Sequence, residues 1–298
     1  MNHASLKMPA ALPSSRGACA TLACIWEATA PKPGNVYRGA DFEDVSYADF
    51  LTSAALVGPV LDQAEGQGVG TSVRQAVTTT QAAVGTNTNL GILLLLAPLA
   101  AVPICTTLPR GIADVLAVLS VGDTEQVYEA IRLAQPAGLG KVDKADVNAP
   151  AEPLLRLVEA MRLAADRDLV ARQYTSNFEQ VFNVAVEIEN GHQDGLPLSD
   201  AIVQAFLQQL AEFPDSLIAR KRGLETAQNV SRRAAAALGS GKPGEVAYKR
   251  GVKELDFWLR SDGHRLNPGT SADLIAAGLF VLLRDQRLNW PVRFYGEG

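Results

Sequence analysis

Residues 84–102 read Val-Gly-Thr-Asn-Thr-Asn-Leu-Gly-Ile-Leu-Leu-Leu-Leu-Ala-Pro-Leu-Ala-Ala-Val. From Ile92 onward this stretch is almost wholly apolar, which is typical of a segment buried in a protein core. Residues 71–84, at its upstream end, form a mixed amphipathic run with helical spacing. The polar link between the two segments therefore joins two helices, and we expect it to be held against the interior of the protein.

The polar link is a candidate ligand site. It offers carboxamides and hydroxyls between glycines that let a backbone approach a ligand closely: Gly85, Thr86, Asn87, Thr88, Asn89 and Gly91. The alternative is a helix C-cap at Gly85 followed by an Asx-type turn that caps the next helix. Spacing alone leaves both interpretations open.

Helical patterns recur along the rest of the chain. Apolar residues repeat with helical spacing in residues 16–30, 46–64, 109–119, 124–134, 152–165, 176–190, 199–210, 224–238, 245–259 and 274–283. We find no convincing alternating strand and no internal repeat. The sequence predicts an all-α protein with a single globular domain of about a dozen helices over residues 15–298. Residues 1–14 are polar and aperiodic, and we expect a disordered tail there.

Several helix boundaries follow from capping signals. Ser46 with Asp49 and Ser176 with Glu179 have the spacing of capping boxes. Ser199 is the expected cap of a later helix. Gly66, Gly68 and Gly70 predict a flexible link, and His192 is expected in an exposed turn.

Composition excludes several classes of function. The net charge is −5 and only 20% of residues are charged, so nothing favours binding to nucleic acid or an anionic membrane. The longest apolar run, 90–102, is shorter than the roughly 20 residues that a membrane helix needs. Cys19, Cys24 and Cys105 lack metal-ligand spacing and suit a reducing compartment. Without an export signal, we expect a soluble cytoplasmic protein.

A second candidate site is Pro-Lys-Pro-Gly-Asn-Val at residues 31–36. The prolines stiffen the loop, Gly34 permits an unusual backbone angle, and Lys32 would be presented beside Asn35 for contact with a phosphate. The alternative is a plain helix stop with a solvated lysine.

A third candidate is the run from Asp215 to Gly223, which contains three consecutive cations. Arg220 and Lys221 could grip a polyphosphate, and Asp215 could hold a divalent ion. The alternative is a solvated basic turn at a helix C-terminus, where cations are favoured.

The fourth candidate site is Asn-Pro-Gly-Thr-Ser-Ala-Asp at residues 267–273. It precedes an apolar helix, whose first backbone N–H groups have no partner within the helix and would face a ligand bound at this end. Asn267, Ser271 and Asp273 could contact a metal or a ribose. The alternative is a capping box between Thr270 and Asp273.

The four motifs in this order resemble the triphosphoribosyl-dephospho-CoA synthase family, over roughly residues 20–285. They are Lys32-Pro-Gly-Asn-Val, Gly85-Thr-Asn-Thr-Asn-Leu-Gly, Asp215-Ser-Leu-Ile-Ala-Arg-Lys and Asn267-Pro-Gly-Thr-Ser-Ala-Asp. The resemblance implies an all-helical enzyme that transfers the triphosphoribosyl part of ATP to the 2′-hydroxyl of 3′-dephospho-CoA and releases adenine. The product is the precursor of an acyl carrier protein prosthetic group.

The chain departs from the family pattern at three positions. Tyr37 replaces a carboxylate, and Asn89 and Leu90 replace a histidine and a lysine. Losing a cation and titratable groups should change substrate contacts or acid–base roles. The sequence thus resembles a divergent branch, with a ribosyl acceptor in tetrahydromethanopterin biosynthesis as an alternative to dephospho-CoA.

The resemblance also implies roles for the candidate residues. Mg²⁺ with Lys32, Arg220 and Lys221 would neutralise the triphosphate. The link between residues 85 and 91 would orient the ribose. Asp215 and Asp273 would act as base or metal ligand.

Two other readings stay open at this stage. One is a nucleotide-binding protein without transfer activity, and the other is a hydrolase that uses water in place of the acceptor. Residues 137–147 are a candidate lid. The oligomeric state is undecided, with a homodimer as one option.

Overall fold

The computed structural model of this protein describes residues 15–136, 147 and 155–296, and most of these residues are helical. In chain order the helices are α1 (Arg16–Thr29), α2 (Tyr47–Asp62), α3 (Ala64–Gln67), α4 (Val69–Val84), α5 (Leu90–Ala101), α6 (Leu108–Val118), α7 (Val121–Ala134), α8 (Leu157–Arg162), α9 (Leu169–Gln173), α10 (Glu179–Gln193), α11 (Leu198–Glu212), α12 (Ser216–Arg222), α13 (Leu224–Leu238), α14 (Val246–Arg260) and α15 (Gly269–Arg284). A four-residue extended segment, Ser261–His264, follows α14. The all-α prediction is confirmed. The expected tail at residues 1–14 and all of the candidate lid except Val147 lie outside the described residues.

Two apolar helices, α5 and α15, form the centre of the fold. Nearly every residue of both is buried, as a helix that is apolar on all sides requires. Helix α15 packs against α1, α5, α10 and α11, and α5 also packs against α4. The prediction that residues 92–102 lie in the core is confirmed. Within the described part of the chain, no helix combines the length and hydropathy needed to span a bilayer.

Helix α5 contains Pro98, which disturbs its hydrogen bonding. Because proline has no N–H, the carbonyl of Leu94, four residues earlier, lacks its usual helical donor. The buried hydroxyl of Tyr174 donates to that carbonyl oxygen at 2.6 Å. Since Tyr174 directly follows α9, this bond ties α9 to the central helix.

The glycines at 66, 68 and 70 do not form a flexible link. Helix α3 ends at Gln67 and α4 begins at Val69. The backbone N–H of Gly70 donates to Oδ1 of Asp123 in α7 at 2.9 Å. A β-carbon on Gly70 would lie 2.7 Å from Cα of Asp123, so this glycine allows close packing of α4 on α7.

Three other local predictions differ from the structure. Helix α10 is capped by Phe178 in a left-handed conformation (φ 63°), so Ser176 lies outside the helix start. Helix α11 begins after Pro197, and Ser199 lies inside it. His192 lies in the last turn of α10 rather than in an exposed loop. The capping box between Ser46 and Asp49 is present as predicted.

Candidate active site

A cavity of about 740 Å³ lies where the ends of several helices meet. This volume is in the range of small-molecule sites. Most residues predicted for the site line it: Asn35, Gly85, Asn87, Thr88, Asn89, Gly91, Arg220, Lys221, Asn267 and Asp273. Four predicted residues are not part of the lining: Lys32, Gly34, Asp215 and Ser271. Apolar side chains of α5, α7, α8 and α9 form much of the remaining wall.

The link between α4 and α5 serves both as a cap and as a cavity wall. Gly85 ends α4 in the left-handed conformation (φ 77°). Oδ1 of Asn87 accepts a hydrogen bond from the backbone N–H of Leu90 at 3.1 Å, which caps α5. The hydroxyl of Thr88 forms a hydrogen bond with the hydroxyl of Ser53 in α2, and Oδ1 of Asn89 accepts a hydrogen bond from the hydroxyl of Thr80 in α4. These bonds hold the link rigidly against the cavity.

Asp273 projects from the first turns of α15 against Gly91, at the start of α5. A β-carbon on Gly91 would overlap the Asp273 carboxylate. Among the described residues, no donor forms a hydrogen bond to either carboxylate oxygen. The alternative capping box with Thr270 is absent, because the Thr270 hydroxyl accepts from Ser216 at 3.1 Å instead. Burial, followed by the nearby charge of Glu27, raises the pKa of Asp273 well above its usual range.

Lys32 is fully buried and does not face the cavity. Its ammonium forms an ion pair with the carboxylate of Glu27 at 2.8 Å. It also donates to the backbone carbonyls of Glu27 and Ala30. Because an ammonium has three protons, none remains for a phosphate in this arrangement. The expected presentation of Lys32 to a phosphate is therefore corrected.

Glu27 lines the cavity although the sequence analysis did not single it out. The available signal was an acidic residue on the apolar face of α1, five positions before a lysine. A buried face rarely carries a carboxylate unless it is paired.

Asp215 connects the starts of α12 and α15 and lies outside the cavity. Oδ1 accepts from the backbone N–H groups of Leu217 (2.9 Å) and Ile218 (3.1 Å). Oδ2 accepts from the N–H (2.7 Å) and the hydroxyl (2.9 Å) of Ser271. Burial raises the pKa of Asp215, and the bonds from Ser271 and Ile218 oppose that rise. With both oxygens engaged, the geometry is that of a helix cap.

Two of the three cations of α12 line the cavity, and the third turns away from it. Arg220 lines the cavity and forms an ion pair with Asp168, the N-cap of α9. Lys221 also lines the cavity, has no ion-pair partner among the described residues, and has its pKa lowered by burial. Arg222 turns away to Asp262 at 3.2 Å.

Arg167 and Asp168 line the cavity and were not predicted as site residues. Both precede the short helix α9, whose sequence shows no motif. Arg167 donates to the carbonyl of Leu163 at 2.8 Å, which keeps its guanidinium near α8.

The loop after α1 contributes Asn35 to the cavity. Gly34 adopts φ 77°, and its N–H donates to Asp256 at 2.7 Å. Nδ2 of Asn35 donates to Oδ1 of Asn267 at 2.6 Å, which joins the second and fourth motifs. Oδ1 of Asn35 is buried and has no hydrogen-bond partner among the described residues.

The positions that depart from the family pattern do not all face the cavity. The Tyr37 hydroxyl donates to Asp256 at 3.0 Å, and the side chain is not part of the lining. Burial raises the pKa of Tyr37. Asn89 and Leu90 do line the cavity, so the departures at these two positions alter the site itself.

The chain is similar to known proteins over most of its length. The family model for CitG, ATP:dephospho-CoA triphosphoribosyl transferase, matches residues 13–292. A search of curated proteins found no match. Among solved structures, a "putative triphosphoribosyl-dephospho-coA synthase" from Archaeoglobus fulgidus is similar, with a TM-score of 0.63 and 26% identity. That match covers 79% of this chain and 98% of the other. The chain therefore belongs to the ATP:dephospho-CoA triphosphoribosyl transferase family of enzymes.

Proposed function

We propose that the cavity between α5, α12 and α15 is where the triphosphoribosyl group passes from ATP to an acceptor hydroxyl. The observation that carries this proposal is the position of Asp273. Its carboxylate lines a cavity that cations and carboxamides also line, and no described residue donates a hydrogen bond to it. In the reaction, the acceptor oxygen bonds to C1′ of the ribose and the bond from C1′ to N9 of adenine breaks. Its electron pair leaves with adenine.

Asp273 is the proposed general base. Its pKa is raised because burial disfavours the charged form, and Glu27 adds like-charge repulsion. A carboxylate with a raised pKa is a better proton acceptor near neutral pH than an ordinary one. The proton that the acceptor hydroxyl loses would pass to Asp273, and the departing adenine would take a proton from water. Asp273 would then return its proton to water, so that no net proton is consumed.

The triphosphate is proposed to lie against Lys221, Arg220 and Arg167. All three line the cavity, and no described residue forms an ion pair with Lys221. The guanidinium of Arg220 is held by Asp168, which leaves its other N–H groups for phosphate oxygens.

Mg²⁺ is proposed to arrive with ATP. The described residues include no group of three or more His, Cys, Asp or Glu side chains placed to hold a metal. This fits Mg²⁺ bound mainly by phosphates and waters with at most one or two carboxylates. Both oxygens of Asp215 already accept hydrogen bonds, so only Asp273 of the two fits as a ligand. Because a base must be free of metal, we assign the ion to the triphosphate.

The ribose is proposed to contact the carboxamides at the polar end of the cavity. Oδ1 of Asn35 is buried and unpaired, which suits a ribose hydroxyl. Asn267 holds Asn35 in place, and Asn87 and Asn89 line the same cavity beside Thr88. The backbone at Gly85 and Gly91 allows a close approach.

The four predicted residues outside the lining are proposed to position the others. Asp215 and Ser271 join the helices that carry Lys221 and Asp273. Lys32 holds Glu27, and Gly34 lets the loop bring Asn35 to the cavity.

The acceptor is proposed to be 3′-dephospho-CoA or a related cofactor precursor, with its less polar part against α7, α8 and α9. A cytoplasmic location is supported by Cys19 and Cys24, which are buried free thiols. Two further statements stay predictions: that the protein has no nucleic-acid partner, and that it forms a homodimer.

The test is adenine release from Mg-ATP by the purified protein, measured by chromatography. It is run without acceptor, with 3′-dephospho-CoA, and with pterin ribitol compounds. We expect release only with one acceptor, and its loss in D273N. Release without any acceptor would indicate a hydrolase, and ATP binding without release would indicate a binding protein.

A further inference from the structure

Glu27 is a buried carboxylate with one oxygen in use and one free. It lies near the end of α1, is 4% exposed, and lines the cavity. Oε1 pairs with Lys32 at 2.8 Å, whereas no described residue donates a hydrogen bond to Oε2. Because Glu27 lines the cavity, Oε2 is accessible to a polar or cationic group of a ligand bound there.

Lys32 holds the Glu27 side chain in place through an ion pair. The lysine is fully buried, and its three protons reach the Glu27 carboxylate and two backbone carbonyls. A buried lysine is stable only when paired. Glu27 therefore lies between the cavity and Lys32, with the lysine on the side away from the cavity.

Glu27 and Asp273 are neighbours in different environments. Burial raises the pKa of the Cys24 thiol, and the charges of Glu27 and then Asp273 raise it further, so both carboxylates lie near Cys24. Glu27 forms an ion pair with Lys32, whereas no described residue forms an ion pair with Asp273. Two carboxylates in different environments, with separate roles, are the usual arrangement for chemistry at a glycosidic bond.

We infer that Glu27 is a second catalytic carboxylate, which stabilises the positive charge that develops at C1′ of the ribose while Asp273 takes the acceptor proton. This inference rests on the proposed function. As the bond from C1′ to N9 breaks, positive charge spreads over C1′ and the ring oxygen. Oε2 stabilises that charge without forming a covalent bond. Lys32 is a positioning residue, because it acts only through Glu27.

The inference can be tested by binding, without turnover. Two ligands are compared by calorimetry: the 5-triphosphate of 1,4-dideoxy-1,4-iminoribitol, which is protonated at the ring, and that of neutral 1,4-anhydroribitol. We expect the wild-type protein to prefer the cation by roughly 10- to 100-fold, the range of a charge-assisted hydrogen bond. E27Q should lose this preference. D273N and E187Q, which changes a partly buried glutamate on α10 outside the cavity, should keep it.

Several outcomes overturn the inference or separate it from the proposed function. Equal binding of the two ligands by the wild-type protein overturns it, as does an unchanged preference in E27Q. If D273N loses the preference for the cation and E27Q keeps it, Asp273 rather than Glu27 stabilises the positive charge, and the inference is overturned. A wild-type preference that E27Q abolishes, in a protein that transfers no triphosphoribosyl group, upholds the Glu27 site and rejects the proposed function.

Two variants of Lys32 complete the test. E27Q leaves a buried ammonium without its anion, so it is paired with E27Q/K32M, which removes both charges and retains a similar volume. We expect the double variant to fold and to lack the cation preference. K32M alone should weaken binding of the cation while binding of the neutral ligand stays within about threefold. Equal weakening of both ligands would contradict a positioning role, because general structural damage affects both.

Discussion

Gly91 and Asp273 face each other so closely that a β-carbon at residue 91 would overlap the Asp273 carboxylate. The first turn of α5 and the first turns of α15 meet at this contact. A glycine in a helix is unfavourable by roughly 0.5–1 kcal/mol relative to alanine. At position 91 glycine leaves room for the acid, because a side chain there would force the Asp273 carboxylate to move.

G91A should therefore damage both the fold and the site. We expect a loss of about 1–3 kcal/mol in the free energy of unfolding and at least a tenfold fall in turnover, measured by urea denaturation and adenine release. G66A is the matched control, because nothing lies within 4 Å of a β-carbon at that helical glycine. Equal stability of G91A and G66A would contradict the close contact.

D273N should be more stable than the wild-type protein at pH 7. The native pKa of Asp273 is raised above the ordinary value, so the folded protein resists its ionisation. The free energy of unfolding then falls as the pH rises from the pKa of Asp273 in the unfolded chain, about 4, through its higher pKa in the folded protein. Asparagine avoids this loss. The difference should vanish near pH 3.5 in urea denaturation, and a difference independent of pH would disprove the assignment.

D215A should act mainly on stability. Asp215 caps α12 and accepts two bonds from Ser271, so we expect a loss of about 3 kcal/mol. S271A should lose about 1 kcal/mol. Turnover per folded molecule should fall less than tenfold in both. A fall in D215A as large as that in D273N, with the fold intact, would return Asp215 to the reacting groups.

Comparing K221M with R222M shows whether a cation that lines the cavity matters more for ATP binding than one outside it. Lys221 lines the cavity, whereas Arg222 pairs with Asp262 outside it. Removing a charged contact to phosphate should raise the KM for ATP about tenfold in K221M, with R222M changed less than twofold. Steady-state kinetics at fixed salt measures both. The same KM shift in the two variants would point to a general charge effect.

L90K restores the cation of the family pattern. Leu90 lines the cavity beside Gly91, so a lysine there would lie near Asp273 and lower its pKa. If the ionised form of Asp273 is the base, the acidic limb of the pH–rate profile should move to lower pH. L90M, with similar volume and no charge, should keep the wild-type profile. An unchanged profile in a folded, active L90K would argue against Asp273 as the base.

Much of the fold followed from local patterns. The apolar run after Gly91 predicted a core helix, because a helix that is apolar on every side has to be surrounded. The polar links before α5 and α15 predicted cavity residues, because loops at the ends of buried helices carry groups that need partners. Asn35 and Asn267, 232 positions apart in the sequence, form a side-chain hydrogen bond. The sequence showed only that both motifs were polar.

The remaining features depend on three-dimensional contacts. The bond between Asp215 and Ser271 spans 56 positions, and nothing near either residue distinguishes a cap from a catalytic acid. The inward turn of Lys32 depends on Glu27, in the helix before it. A pattern cannot show whether a lysine after a proline points inward or outward. Arg167 precedes the five-residue helix α9, whose periodicity is too brief to detect.

The central position of α15 bears on how the chain is made. This helix packs against α1, α5, α10 and α11, yet it is the last helix among the described residues. During synthesis, the earlier helices leave the ribosome while the element that covers their apolar faces is still untranslated. At about 5–20 residues per second, the 167 residues between α5 and α15 take on the order of 10–30 s. The nascent chain therefore exposes apolar surface for that period, and its yield in cells should depend on chaperones that bind such surfaces.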